Sequence, residues 1–308
     1  MLEPDSPREG AHPLGEAAAP PRTTGELALQ VLRMHAAAFA EHAPQARLGG
    51  DPEHVHQTRV ATRRLRAGLR VFADVLPPDV GGLREELGWI AAQLGPVRDL
   101  DVQVGRLGEI AAQLDLSGVL APYGTWLEDQ RQRALAVFDD AFRSERFTGL
   151  TDRLGHLDEL SPPAGADQPL LDDASRRLRR AFRRLRKRAN GLGNSAPASR
   201  FHQARIGAKR LRYTTEFFEP VYGKPARRLI KTATSLQDLL GDHQDGIVSG
   251  QRIHEAVQTA AGAWPAETSL ALGRIVQWEA EHGRDVRRRF RPSYREVEDA
   301  WKRLRRAL

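Results

Sequence analysis

Apolar side chains recur along most of the chain at intervals of three and four, the spacing that gathers them on one face of an α-helix. Leu27, Val31, Leu32 and Phe39 form such a face early, with Thr23 or Thr24 placed to cap its first turn. Gly49-Gly50-Asp51-Pro52 then reads as a turn into a second helix, with Asp51 at the N-cap and Pro52 at the first helical position. Thr58, Leu65, Leu69, Phe72 and Leu76 lie on the core side of that helix, and Pro77-Pro78 stop it. Asp79 opens a third helix carrying Leu83, Leu87, Ile90 and Leu94. Gly95-Pro96 interrupts it, and Val97 to about Leu114 forms the next. Ser117 to Arg146 reads as one long amphipathic helix. After a basic helix around Arg176–Arg188 come Ser199–Tyr222, Lys224–Leu240, Asp242–Ala261 and two terminal helices. About a dozen helices result, and no stretch shows the period-two alternation of a half-buried strand. The predicted class is all-α.

Two of these helices carry a second pattern on the side away from the core. His56, Arg59, Arg63, Arg66 and Arg70 fall on one narrow stripe, with Arg64 offset from it. Successive cations stand about one turn apart, ~5.4 Å along the axis. At a constant offset of 146 residues, His202, Arg205, Lys209, Arg210 and Arg212 repeat His56, Arg59, Arg63, Arg64 and Arg66. Leu240-Gly241-Asp242-His243-Gln244-Asp245 answers Leu94-Gly95-Pro96-Val97-Arg98-Asp99 at that same offset. Two motifs in one register point to a duplicated helical unit. The period is far longer than that of a solenoid repeat. Residues 1–22, rich in Pro, Gly and Ala, read as a disordered tail, 23–160 and 169–308 as two lobes, and 161–168 as their linker.

The H-x-x-R-[VI]-x-x-[RK]-R-L-R helix followed by L-G-x-x-x-D, both present twice, resembles the CHAD (conserved histidine α-helical domain) family. The resemblance covers roughly Thr23 to Leu308. It implies an all-helical fold of two pseudo-symmetric bundles around a central basic cavity that binds inorganic polyphosphate. Carried onto this sequence, His56, Arg59, Arg63, Arg66 and Arg70 line one wall and His202, Arg205, Lys209 and Arg212 the other. Arg64 and Arg210 reach the rim, Arg98 reaches the cavity, and Arg228 and Lys231 are further candidates. Members of this family are often fused to a CYTH-type triphosphatase domain, but no E-x-E-x-K strand motif occurs here.

Charge and composition sharpen this reading. The chain has 308 residues and a formal net charge of +7, which favours an anionic partner. The stripes contain few carboxylates to relieve their repulsion, and Arg, which grips phosphate oxygens with several donors, outnumbers Lys. The histidines heading each stripe become donors as they protonate near pH 6.5. Neighbouring guanidiniums speak against metal ligation by them, and no metal or other cofactor is expected. Arg176 to Arg188 holds nine cations in thirteen positions. Leu178, Ala181, Phe182 and Leu185 break that run at helical spacing, so it reads as a packed helix with a solvated outer face.

Cysteine is absent, which removes disulfides and thiolate sites, and no apolar run approaches the ~18 residues of a membrane span. The N-terminus lacks a signal pattern. These features describe a cytoplasmic protein, which the polyphosphate reading would place at polyphosphate granules. Two other functions stand beside it. One is nucleic-acid binding, whose phosphate backbone offers similar charge, although aromatics for base stacking make up only 6% of the chain. The other is a metal-dependent phosphohydrolase using Asp99 and Asp245, which otherwise read as helix caps or as partners of stripe arginines.

Overall fold

The computed structural model describes residues 21–48, 51–166, 168–260 and 262–308. The expected tail and the Gly49-Gly50 turn therefore lie largely outside the described residues. Ten α-helices follow in chain order: α1 (Thr24–Leu48), α2 (Pro52–Val71), α3 (Leu83–Leu114), α4 (Ala121–Phe142), α5 (Glu145–Gly155), α6 (Leu170–Ala189), α7 (Ala198–Phe217), α8 (Glu219–Tyr222), α9 (Lys224–Ala260) and α10 (Ala266–Leu304). Three single turns of 3₁₀ helix accompany them. The described residues contain no strand, only an isolated bridge between Thr23 and Pro169. The all-α class holds.

Local chemistry sets the first boundaries as expected. Thr23 Oγ1 accepts from the Glu26 amide at 3.2 Å while Glu26 accepts from the Thr23 amide at 3.3 Å, a reciprocal capping box. Asp51 caps α2 by accepting from the Glu53 amide at 2.8 Å, with Pro52 at the first helical position. That helix ends at Val71, five residues earlier than the apolar pattern suggested. Pro77 and Pro78 lack the N–H groups that the Ala73 and Asp74 carbonyls would need, so the helix closes one turn before them.

Other breaks expected from the sequence do not occur. The third helix runs straight through Gly95-Pro96, because Leu87, Ile90, Leu94 and Val97 are all fully buried on one face. Gly95 has no Cβ to clash with the Pro96 ring, and the carbonyl Pro96 leaves unbonded belongs to exposed Ala92. In α9, Gly241 alone costs about 1 kcal/mol, too little to end a 37-residue helix. Likewise α10 is one helix with Pro292 inside it, not two. The expected Ser117–Arg146 helix is instead divided, because Ser144 accepts from the Phe147 amide at 3.3 Å and starts α5.

The described residues form two compact units. One comprises 21–101 and 131–178, the other 102–130 and 179–308. This partition differs from a single cut at 161–168, although the described residues of that segment, 161–166 and 168, are non-helical. In the first unit α1 packs along α2, and Leu32, Phe39, Val55, Leu65, Leu83, Ile90, Phe138 and Leu150 form the core. The second is built on α7, α9 and α10, with Phe201, Leu211, Leu236, Leu240, Ile275 and Phe290 buried among them.

The second unit also contains a buried ionic junction. Arg106 of α3 donates from Nε and Nη2 to the Glu279 carboxylate at 2.6 and 2.5 Å, and from Nη1 to Asp242 at 2.7 Å. His282 is hydrogen-bonded to the other Asp242 oxygen and stacks on Trp278. Burial opposes the Arg106 charge, but the two carboxylates outweigh it and hold the guanidinium above its ordinary pKa. Gly246 makes the junction possible, since a Cβ there would stand 2.7 Å from Glu279 Oε2. Glu279 is only 5% exposed, so neutralising it leaves Arg106 Nε and Nη2 without a carboxylate and Asp242 as the guanidinium's one remaining counter-charge in the junction. Glu279→Gln should lower unfolding free energy by about 3 kcal/mol in urea titrations, with little dependence on salt. Gly246→Ala should act in the same direction.

Candidate anion-binding site

In the first unit α2 and α3 lie side by side, and two glycines of α3 face arginines of the stripe. A Cβ on Gly95 would stand 3.7 Å from Arg59 Nη1, and one on Gly88 would stand 3.5 Å from Arg66 Nη2. The pairs 59/95 and 66/88 run in opposite directions, so the helices are antiparallel. Gly88 and Gly95 are two turns apart on one face of α3 and present a smooth strip beneath both guanidiniums. Arg59 is half-buried and its Nη2 lies 3.7 Å from Asp99. Asp99 therefore pairs with a stripe arginine and does not cap a helix. Of the remaining predicted residues in this unit, His56, Arg63, Arg64 and Arg98 are half-buried, while Arg66 and Arg70 are exposed.

The second unit repeats the first contact. A Cβ on Gly241 would meet Arg205 Nε and Nη2 at 3.4 Å, the counterpart of Gly95 under Arg59. Arg205 Nε is itself buried and has no hydrogen-bond partner among the described residues. The caps agree as well: Phe72 and Phe218 close α2 and α7 with φ/ψ of −105°/14° and −105°/11°. His202 Nδ1 donates to Gln244 Oε1 at 3.1 Å, which orients the imidazole ring. Lys209 and Arg210 are half-buried, whereas Arg228 and Lys231 are exposed on α9.

Arg212 departs from its counterpart. Where Gly88 lies beneath Arg66, the second unit has Thr234, and where Arg70 stands, it has Glu216. Arg212 is buried, with Nε 3.4 Å from Glu216 and its guanidinium over the Tyr213 ring at 4.9 Å. The second stripe thus presents His202, Arg205 and Lys209, with Arg212 drawn into a local ion pair. The glycine strip under the arginines escaped the sequence reading. Its signal was a pair of glycines seven residues apart inside an otherwise strong helix.

The acidic residues near these motifs have structural engagements. Asp101 pairs with Arg131 at 2.7 Å, and Asp242 belongs to the Arg106 junction. His243 accepts from Arg287 Nε at 3.0 Å, and burial and that arginine hold its pKa down. The Asp245 backbone carbonyl accepts from Gln103 at 3.5 Å. Among the described residues no group of three or more His or carboxylate side chains converges as a metal ion would need, and no helix is long and apolar enough to cross a membrane.

Arg64 lies off the stripe and acts on His35 of α1. Burial first, and the Arg64 charge second, push the His35 pKa down to about 3. Between that value and the ordinary 6.5 the unfolded chain binds a proton that the folded chain refuses, so stability is complete above pH ~6.5 and falls as pH drops. The slope approaches 1.4 kcal/mol per pH unit for one such group. His35→Gln should flatten urea-derived stability between pH 7 and 5 by about 2 kcal/mol relative to the parent chain.

The model of the CHAD domain family matches residues 30–254. The chain is 29% identical over 265 residues to uncharacterized proteins of two Mycobacterium tuberculosis strains, CDC 1551 / Oshkosh and H37Rv. That match covers 82% of this chain and 49% of each relative, so the chain spans about half the length of the curated relatives it matches. The fold resembles the crystal structure of the CHAD domain from the plant Ricinus communis with a TM-score of 0.71 and 26% identity, covering 90% of this chain and 94% of that one. It also resembles PptA from Streptomyces chartreusis, with a TM-score of 0.72 and 20% identity over 89% of this chain and all of that one.

Proposed function

Because the chain belongs to the CHAD domain family, we propose that its basic helices α2 and α7 bind inorganic polyphosphate without chemical change, and that the two units descend from one duplicated ancestor. One observation carries the reading: Arg59 and Arg205, at equivalent positions, each lie against a glycine of the neighbouring helix. Packed there, a guanidinium loses water on one side, and the Nε of Arg205 is buried without a hydrogen-bond partner among the described residues. Lys209 and Arg63 one turn on, and His56 and His202 one turn back, extend each row along the helix axis. A linear polyanion can occupy such a row with consecutive phosphates.

The Arg59–Asp99 pair does not oppose this. Both side chains are partly exposed and 3.7 Å apart, so the pair is weak and yields to phosphate. His56 and His202, one turn from Arg59 and Arg205, can add ring N–H donors to the same polyanion. Phosphohydrolysis through Asp99 and Asp245 is the weaker reading, because Asp99 is directed at an arginine. Binding to polyphosphate would also bring the protein to polyphosphate granules.

Three outcomes follow from this proposal. Long-chain polyphosphate should displace DNA and RNA at equal phosphate concentration and physiological salt, since the rows supply cations but few groups that read bases. Arg63→Gln with Lys209→Gln should weaken polyphosphate binding and flatten its salt dependence while leaving helicity intact. Preference for nucleic acid would replace the polyphosphate reading. Incubation with polyphosphate and Mg²⁺ or Mn²⁺ should release no phosphate above background; turnover lost in Asp99→Asn or Asp245→Asn would make the protein an enzyme.

A further inference from the structure

The arginine run of α6 is not uniformly a solvated face. Its first residues are neutralised: Arg177 reaches Asp173 at 2.5 Å and Asp74 at 2.8 Å, and Arg176 shares Asp173. Its last turns are different. Ala181, Phe182, Leu185 and Ala189 are buried in the second unit, Phe182 stacking on Trp301 at 4.5 Å. At Gly207 of α7 the two helices come very close. A Cβ there would stand 3.1 Å from Leu185 Cδ1, 3.2 Å from Leu185 Cα and 3.4 Å from Arg188 Cδ. The aliphatic stem of Arg188 is therefore held against α7.

Arg188 is half-buried, and its Nη1 is shielded from solvent with no hydrogen-bond partner among the described residues. Arg184 stands one turn before it on the same face of α6. Arg210 lies three residues beyond Gly207, on α7. Burial, then the charges of Arg188 and Arg184, hold the Arg210 guanidinium below its ordinary pKa. Among the described residues no ion pair joins any of these three arginines to a carboxylate. Five residues separate Arg205 from Arg210, about 140° around the helix, so this cluster occupies a different side of α7 from the stripe.

We infer that Arg184, Arg188 and Arg210 form a second oxyanion site on the α6–α7 seam, built for a phosphate-type group. The half-buried guanidiniums of Arg188 and Arg210, with exposed Arg184 beside them, repel one another without a carboxylate, and the buried Arg188 donor without a partner is costly. A phosphate relieves both at once, offering several acceptor oxygens and negative charge to planar donors. The site shares with the stripe reading the chemistry of its ligand and one residue, Arg210, which the sequence placed at the rim of the cavity and which lies instead on the α6 side of α7.

The test uses the full chain, with tripolyphosphate and orthophosphate as probes in calorimetric titration and thermal unfolding. Three proteins are compared: the parent, Arg188→Gln with Arg210→Gln, and the stripe variant Arg63→Gln with Lys209→Gln. In low salt without ligand, the seam variant should unfold at a higher temperature than the parent, because repulsion has been removed. It should bind tripolyphosphate with one site fewer, or about tenfold more weakly at that site, the loss of a charge-assisted contact. The stripe variant should retain the seam site. Stabilisation of the parent by orthophosphate, absent in the seam variant, assigns the site to an isolated anion; stabilisation by tripolyphosphate alone assigns it to a chain.

A seam variant that unfolds earlier than the parent makes these arginines structural and overturns the proposal. Unchanged tripolyphosphate stoichiometry and affinity in the seam variant overturns it while leaving the stripe reading intact. Loss of all binding in the stripe variant also overturns it, since no independent site then exists. Loss in the seam variant alone sinks the stripe reading and supports the seam.

Discussion

The proposed anion site depends on holding a guanidinium in place while keeping its charge, and in α2 and α7 an arginine packs against a glycine at equivalent positions. A closely bonded carboxylate, as at Arg106, would consume the charge, whereas Asp99 stands 3.7 Å from Arg59 and is half exposed. Leaving an arginine in water costs side-chain entropy each time it orders around a ligand. At Gly95 and Gly241 a neighbouring helix offers a flat backbone surface within van der Waals reach of Arg59 and Arg205. The antiparallel register of α2 with α3 follows from that contact, since Arg66 then falls over Gly88. Burial of Leu83, Leu87, Ile90, Leu94 and Val97 on the core side of α3 keeps the register fixed.

Buried charge elsewhere in the second unit follows the opposite rule. Arg106 is surrounded by Glu279 and Asp242, and every one of its nitrogens has a carboxylate partner. Such a junction has no charge to offer a ligand. It ties α3, α9 and α10 together, at the cost of the glycine at 246. The two kinds of arginine differ in how closely carboxylates hold them: at 2.5–2.7 Å on every nitrogen of Arg106, and at 3.7 Å beside a half-exposed Asp99 for Arg59, which packs against glycine.

Much of this was legible in the sequence. The 3.6-residue period gave the helical class, and His56, Arg59, Arg63 and their counterparts 146 residues on marked the basic helices. Thr23, Asp51 and Pro52 announced their helix starts through side-chain chemistry that acts within three residues. What failed were judgements in which tertiary burial competes with a local breaker. Pro96 and Pro292 each remove a single hydrogen bond, and a continuous apolar face on either side holds the helix together regardless. The glycines under the arginines were illegible for a related reason. Their meaning depends on which helix lies opposite, and no local pattern specifies that. Arg188 was misjudged as solvated because its burial comes from Gly207, on another helix.

The difference between the two basic helices was present in the sequence but needed the structure to give it consequence. Glu216 replaces Arg70 and Thr234 replaces Gly88 at equivalent positions. Each change acts on Arg212, which loses the glycine surface and gains a carboxylate four residues along its own helix. Arg212 therefore turns into the core, while Arg66 remains exposed. The second row is shorter by two cations at its C-terminal end, yet the contact of Arg205 with Gly241 is kept. Under the proposed duplication, drift alone would first remove the most demanding feature, the close fit between two helices. Here that fit persists, and the divergence falls at the end of the row, where an arginine was exposed and packing imposed little.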